Sequence, residues 1–290
     1  MVHTHTVGLI GHTGNIGKQI LKHLIKPYED GKLNIIILHR AGSDLSSVPK
    51  GIETRQVDIS KPVDVALLVG INTLVTAVAF EVMGNTVNLV DAFAKSPDAV
   101  TFIPSYYSAA WSEADIAIPQ MAVVNQHFLP PIQKAKEAGV GVTIVHSGLF
   151  SEYLFVIPFV GASLKDNTIQ ANAAMLEKTF PIITHEYLGA GIAQLVTNPP
   201  ETIKDKSYSF IEYQVKGQGL VEAFEAVNGS KPTIIDFTEK DYEEGLNNPM
   251  GPIGTLYKAH WSTGELVYPN ETKPEGITSK SLVELAKIYK

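Results

Sequence analysis

The chain has 290 residues, 44% of them hydrophobic and 18% charged, enough to bury a large core without a metal or disulfide staple. It contains no cysteine, which excludes a disulfide framework, a thiolate zinc site, an iron–sulfur cluster and a cysteine nucleophile. With 23 Lys and Arg against 30 Asp and Glu, the net charge is −7 and no basic block occurs, so nucleic acid is not an expected partner.

The first residues carry no positive n-region and enter a strand directly, against a signal peptide. No apolar run reaches the roughly 18 residues of a membrane span, so the expectation is a cytoplasmic protein with no membrane partner. Thr6–Ile10 has strand length, and Ile16, Ile20, Leu21, Leu24 and Ile25 then recur at helical spacing. Pro27 is expected to stop that helix, with residues 28–32 as a loop. Residues 33–38 are almost continuously apolar, as in a parallel strand covered on both faces. Residues 53–57 read as a weaker strand, 62–69 as a short helix, 72–78 as a strand, 85–95 as a helix and 100–104 as a strand. Residues 120–138 read as mostly helical, kinked or started by Pro130 and Pro131, and 140–146 as another strand. Strands and helices alternating at this spacing imply βαβ units and a parallel sheet with right-handed crossovers.

Beyond residue 150 the rhythm loosens. Strands are expected at 180–184, 207–213 and 232–237, and helices at 186–196, 219–227, 239–246 and 279–289. This half reads as a smaller α/β lobe, residues 151–290, packed on and interleaved with a first unit of residues 1–150, with a cleft between them.

Gly11-His12-Thr13-Gly14-Asn15-Ile16-Gly17 follows the first strand at once and opens the first helix. The first glycine allows a tight turn, the second a close approach of backbone to pyrophosphate, and the third close packing of helix on strand. The helix N-terminus then offers unpaired N–H groups to phosphates. This setting predicts a Rossmann-type doubly wound parallel sheet that binds a dinucleotide. The second strand ends Leu38-His39-Arg40, with no carboxylate to hold a ribose diol. Arg40 can instead clamp a 2′-phosphate, with Lys50 as a second cation, which favours NADP over NAD. Asp58, after the third strand, suits either a position facing adenine or a helix cap.

The catalytic groups are less plain. A short-chain dehydrogenase of the usual kind needs Tyr-x-x-x-Lys, and of eleven tyrosines only Tyr28 has a lysine four residues later, in the loop before the second strand. Among the nine histidines, His3 and His5 lack a third ligand, His146 sits in an apolar strand, and His185-Glu186 lacks the second histidine of a zinc-protease motif. His127, placed just before a helix at the carboxyl ends of the strands, is the histidine candidate for a catalytic acid. No Gly-x-Ser-x-Gly elbow and no carboxylate cluster for a metal occurs.

The loop GHTGNIG, the strand end LHR, Leu74–Val78, Phe102-Ile103-Pro104-Ser105, and Val142-Thr143-Ile144-Val145 followed by Ser147-Gly148-Leu149-Phe150 resemble the NmrA-like and isoflavone-reductase-like family of atypical short-chain dehydrogenases. The likeness runs over nearly the whole chain. It implies NADPH as cofactor, a smaller C-terminal substrate lobe, and reduction of aromatic or polyketide-like compounds. It places cofactor contacts on Gly11, Thr13, Gly14, Asn15, Ile16, Gly17 and Arg40, with Ala77, Val78 and Phe150 further along. Two departures stand out. The family's Pro-Ser-Glu-Phe-Gly is here Pro104-Ser105-Tyr106-Tyr107-Ser108, and its catalytic lysine position falls on Phe128, which transfers no proton. His127, Tyr106, Tyr107 and Tyr153 are the candidate replacements. The expected function is therefore an NADPH-dependent reductase of a small aromatic or conjugated carbonyl-type, secondary-metabolite-like or quinone-like, substrate. A non-catalytic NADP(H)-sensing regulator and a redox-neutral cyclase or isomerase are the alternatives, and a homo-oligomer stays open.

Overall fold

The computed structural model describes residues 5–248 and 251–290. Strands β1 (Thr6–Ile10), β2 (Asn34–His39), β3 (Glu53–Gln56), β4 (Thr73–Thr76), β5 (Thr101–Ile103) and β6 (Gly141–Val142) form one parallel sheet in the order β3-β2-β1-β4-β5-β6. β1 lies between β2 and β4, with Ile10 level with Leu38 on one side and Thr76 on the other. The chain winds one way from β1 to β3 and the other way from β4 to β6. The carboxyl ends on either side of β1 therefore open a crevice. The apolar run of β2 is buried from Ile35 to Leu38 because helices cover both faces.

Helix α1 (Asn15–Glu29) runs through Pro27, which the sequence pattern predicted as its end. Proline in the last turn forfeits one intrahelical bond and leaves the rest of the helix intact. The end is closed instead by Asp30 N–H donating to the Lys26 carbonyl and Lys32 N–H to that of Pro27, around Gly31 at φ +70°. Residues 62–69 form only a short 3-10 turn, Val65–Leu67, opened by the Asp64 carboxylate accepting from Ala66 N–H. Helices α2 (Phe80–Met83) and α3 (Thr86–Ala94) follow β4.

The helix Ala122–Glu137 continues through Pro130 and Pro131 rather than starting at them. Its packing overrides the local penalty: Ile132 and Ala135 are buried in the core, and Lys134 pairs with Asp91 of α3 at 2.8 Å. The strand expected at 140–146 divides at Thr143. β6 pairs with β5, and Ile144–Ser147 turns to a new partner, Ser207–Phe210. The strand expected at 207–213 divides likewise, into Ser207–Phe210 and Tyr213–Lys216.

The second half re-enters the first. The helix His185–Val196 packs across α1, so closely that a Cβ on Gly189 would lie 2.8 Å from the Gln19 carbonyl carbon. Leu149–Phe150 pairs in parallel with Thr179–Ile183, which pairs antiparallel with Tyr213–Lys216. A further small sheet joins Ala162–Ser163, Thr168–Gln170 and Thr233–Ile235. The helix Pro252–Thr263, unannounced by the hydrophobic pattern, buries Leu256, Tyr257 and Trp261. One core lies between β1, β2, α1 and the helix His185–Val196; the other runs from α3 into the second half. No helix among the described residues is long and apolar enough to cross a membrane.

Candidate functional site

The glycine loop is shaped by backbone contacts. Gly11 has φ +91°, and a Cβ there would overlap the Ala77 carbonyl oxygen and approach its carbon to 2.6 Å. A Cβ on Gly17, in the first turn of α1, would overlap the Gly11 carbonyl in the same way. Gly14 is different: its Cβ would sit 3.3 Å from the Gly11 carbonyl oxygen, which the fold tolerates. Its reason to be glycine lies outward, because Thr13, Gly14 and Asn15 are exposed. Gly14 N–H donates to the Gly11 carbonyl at 2.9 Å, and α1 opens with no side chain capping its amides. The first-turn N–H groups, including those beside half-buried Ile16, are therefore free to meet an anion. His12 is buried and its Nε2 lies 3.0 Å from the Asp44 carbonyl, tying this loop to the segment after β2.

Arg40 stands exposed at the end of β2, and its guanidinium makes no hydrogen bond or ion pair among the described residues. Lys50 is exposed nearby in sequence. Asp58 accepts from Ser60 N–H at 3.1 Å and from its hydroxyl at 2.7 Å, and pairs with Lys61 at 3.3 Å. Those Ser60 hydrogen bonds, with Lys61, hold its carboxyl below the usual range. Asp58 thus caps a turn that follows β3.

At the end of β4, Ala77 N–H donates to the Ile10 carbonyl at 2.9 Å and Val78 N–H to the Ser105 hydroxyl at 3.1 Å. Ser105 donates to the Thr76 hydroxyl at 3.0 Å, and the Tyr107 hydroxyl to the Thr76 carbonyl at 2.7 Å. This buried chain fixes half-buried Ala77 and Val78 as the floor of the crevice.

Two aromatic walls rise from that floor. On one side Phe80 of α2 packs on His127 (centroids 4.4 Å) and Phe128 (5.6 Å), and Phe128 packs on Tyr106 (5.1 Å). His127 lies inside the helix Ala122–Glu137, not ahead of it, because the two prolines do not interrupt that helix. Tyr106 is buried, and burial pushes its phenol well above the ordinary value. On the other side Tyr153 packs on Phe159 at 5.1 Å and lies 6.4 Å from Phe150. Burial pushes the Tyr153 phenol up, and the charges of Glu152 and Glu81 add to it. Phe80, Val82, Tyr153, Val156 and Ile157 are all exposed, giving the cleft an apolar lip.

Sequence reading passed over a pair beside Phe150. Glu152 Oε1 lies 2.8 Å from His185 Nδ1, and the His185 ring stacks on Phe150 with centroids 4.7 Å apart. Burial pushes the Glu152 carboxyl up, and the hydrogen bond and charge of His185, with Ser151, more than reverse this, so it stands below its ordinary value. The residues are 33 positions apart, and only the pairing of their strands brings them together.

The remaining histidines have other settings. His146 is buried, its ring pushed down by burial and its Nδ1 unpartnered. His5 Nε2 lies 2.7 Å from the Val196 carbonyl, and His3 lies outside the described residues. No group of three His, Cys, Asp or Glu is placed to hold a metal among the described residues. Two concavities of about 210 and 300 Å³ lie elsewhere, one beside the helix His185–Val196 around Gln194 and Tyr208, one by Tyr28 and Asn34. Neither is lined by the loop or the aromatic walls.

The fold has clear likenesses among solved structures. The protein AtPrR2, solved with NADP+ and (+)pinoresinol, superposes with a TM-score of 0.77 at 15% identity, covering 100% of both chains. An isoflavone reductase gives 0.73 at 14% identity over 99% of this chain and 98% of that one. A triphenylmethane reductase from Citrobacter sp. gives 0.67 at 20% identity over 98% and 99%. The chain therefore shares the overall α/β fold of these proteins. No protein-family model matches the sequence, and no curated protein matches it.

Proposed function

We propose that the protein is an NADPH-dependent reductase of a small aromatic or conjugated carbonyl-type molecule. The observation that carries this is the uncapped start of α1 behind Gly11, Gly14 and Gly17, with Arg40 unpaired at the end of the neighbouring strand. The proteins of similar fold support it: AtPrR2 was solved with NADP+, and a leucoanthocyanidin reductase from Vitis vinifera with NADPH.

Within this reading Gly11, Thr13, Gly14, Asn15, Ile16 and Gly17 hold the pyrophosphate on backbone N–H groups. Arg40 takes the 2′-phosphate in a bidentate, charge-assisted contact, which a strand-end carboxylate would repel. Asp58 stands toward the adenine end, and Ala77, Val78 and Phe150 line the nicotinamide end. When bound, NADPH supplies a hydride. The chain's own part is to orient the acceptor between the aromatic walls, exclude water with the apolar lip, and deliver one proton. Of the donors expected from sequence, Tyr153 stands at the lip, His127 packs on Phe80, and Tyr106 lies against Phe128 below the surface.

The test is oxidation of NADPH by purified protein with 9,10-phenanthrenequinone, cinnamaldehyde and acetophenone. Turnover of at least one compound, with NADPH preferred over NADH, is expected. Phe128, enclosed by Phe80 and Tyr106, favours a second reading, a protein that binds NADP(H) without turnover. Tight NADPH binding with no oxidation across the panel decides for that second reading.

A further inference from the structure

We propose that His185, oriented by Glu152, hands the proton to the substrate oxygen in this cleft. The inference rests on the reductase reading and names the group that reading leaves open.

Leu149 is level with Ile182 and Phe150 with Ile183 in a parallel pair, and Ser151 N–H continues the ladder by donating to the Ile183 carbonyl at 2.9 Å. Both strands end at the same height. Glu152 and His185, each two residues past the last paired residue, therefore leave this small sheet side by side, at the carboxyl end of the parallel pair. Thr184 caps the helix His185–Val196, its hydroxyl accepting from Tyr187 N–H at 3.2 Å, and is itself held by Glu212 Oε2 at 2.6 Å. The backbone that carries His185 is thus fixed before any ligand arrives.

Histidine is the side chain that both gives and takes a proton near neutrality. One ring nitrogen is engaged by a carboxylate that stays ionised, which sets the ring's orientation and tautomer. The other, Nε2, makes no hydrogen bond among the described residues, and the side chain keeps 20% of its surface exposed. The second carboxylate oxygen, Glu152 Oε2, is buried with no partner.

The competitors fit less well. The phenols of Tyr106 and Tyr107 are buried and held well above the ordinary range. Tyr153 faces two carboxylates that oppose loss of its proton. His146 is sealed in the core. His127 has an aromatic neighbour and no polar partner to orient it among the described residues.

In the step itself the hydride arrives with its electron pair and forms a C–H bond at the substrate carbon. The carbonyl π pair moves to oxygen, which takes the proton from Nε2 of the doubly protonated His185 ring as that N–H bond breaks, leaving Nδ1–H donating to Glu152. The substrate gains two hydrogens and two electrons, NADPH becomes NADP+, and water returns a proton to the ring. The titratable groups facing His185 are Glu152 on the ion pair, Tyr153 beside Phe150, Glu212 through Thr184, Tyr289 through Ser151 (2.7 Å), and the adjacent Glu186, which is engaged by Lys22 at 2.6 Å.

The test compares wild type with His185→Gln and Glu152→Gln on whichever of the three panel compounds the wild type reduces. His185→Gln is expected to lower kcat by about 10²–10⁴-fold. Its Kd for NADPH, read by nucleotide fluorescence, is expected to stay within about two-fold of wild type. Glu152→Gln removes the anion that orients the ring, so kcat is expected to fall by about ten-fold or more while the Kd for NADPH is kept. In the apo protein at alkaline pH, ring nitrogen NMR is expected to show the His185 proton on Nδ1 in the wild type and a mixture of tautomers in Glu152→Gln. Should His185→Gln not fold, His185→Phe, which keeps a ring on Phe150, takes its place. A kcat within two-fold of wild type for the His185 variant overturns the proposal alone, as does an unchanged ring tautomer in Glu152→Gln. A wild type that binds NADPH yet reduces nothing overturns the reductase reading and the proposal together.

Discussion

Gly11 and Gly17 are glycines because backbone atoms already fill the space a side chain needs. At the opposite end of the cleft, Glu152 and His185 meet because two strands from distant parts of the chain end in register. The first region is a local device: seven residues, one strand end and one helix start suffice to specify it. The second is a tertiary device, and nothing in the residues around either partner announces the other. A binding function can therefore be legible where the chemistry that uses it is not.

Predictions follow that separate the two regions. The largest effect is expected at the loop. Gly11→Val combines a left-handed φ with overlap on the Ala77 carbonyl, and should destabilise the protein by about 3 kcal/mol or more and abolish NADPH binding. Gly14→Ala, with only a 3.3 Å approach, should cost less than about 1 kcal/mol by urea unfolding while still weakening NADPH binding. Equal unfolding penalties at the two glycines would show that packing does not distinguish them.

Arg40→Gln comes next. Loss of one charge-assisted contact of about 1.5–3 kcal/mol should weaken NADPH binding by roughly 10–150-fold. NADH affinity should be unchanged, since it lacks the 2′-phosphate. A parallel loss for both nucleotides, measured by fluorescence titration, would place Arg40 elsewhere than at the 2′-phosphate.

The aromatic end depends on contacts between chain halves, and Asp115 is one of them. It is buried, caps the helix Glu113–Ala117 through Ser112, and meets His260 Nε2 at 2.8 Å. Burial raises its carboxyl, but the Ser112 hydrogen bonds and His260 outweigh this and hold it below the ordinary value. Its contribution to stability is thus fully present above the unfolded-state value of about 3.9 and is lost as pH falls through the lower folded-state value. Asp115→Asn should cost about 1–2 kcal/mol at neutral pH, and the gap to wild type should close toward acid in urea melts. A gap that widens toward acid would reverse the sign of this account.

The smallest effect is expected at Phe128. Placing lysine there should forfeit its contacts to Phe80 and Tyr106, about 1 kcal/mol, without raising kcat. A rise in kcat would show that the position still serves proton transfer and would weaken the case for His185.

How far the fold could be read ahead follows the same division. β1, β2 and α1 carry their own periodicity, so their existence and type were legible within a residue or two. The helix Ala122–Glu137 is legible in residues 120–138, but not its continuity through Pro130 and Pro131, whose local cost is met by packing on α3. The helix Pro252–Thr263 was missed because Gly254 and Thr255 weaken its propensity. Gly254 is required by position: a Cβ there would overlap the Phe159 carbonyl oxygen. In the site, the glycine loop and Arg40 were visible as spacing and residue type. His185 carries no such local signal, since the carboxylate beside it lies 33 residues upstream and is joined to it by strand register.

The central claim is that this cleft transfers a hydride and a proton to a bound organic acceptor. The most direct measurement uses NADPH deuterated at C4, on each face in turn, with cinnamaldehyde and acetophenone, followed by mass spectrometry and NMR of the products. The account predicts a product carrying one carbon-bound deuterium from one face only, its second new hydrogen coming from solvent. Recovery of both compounds without deuterium, from protein shown to bind NADPH, would contradict it.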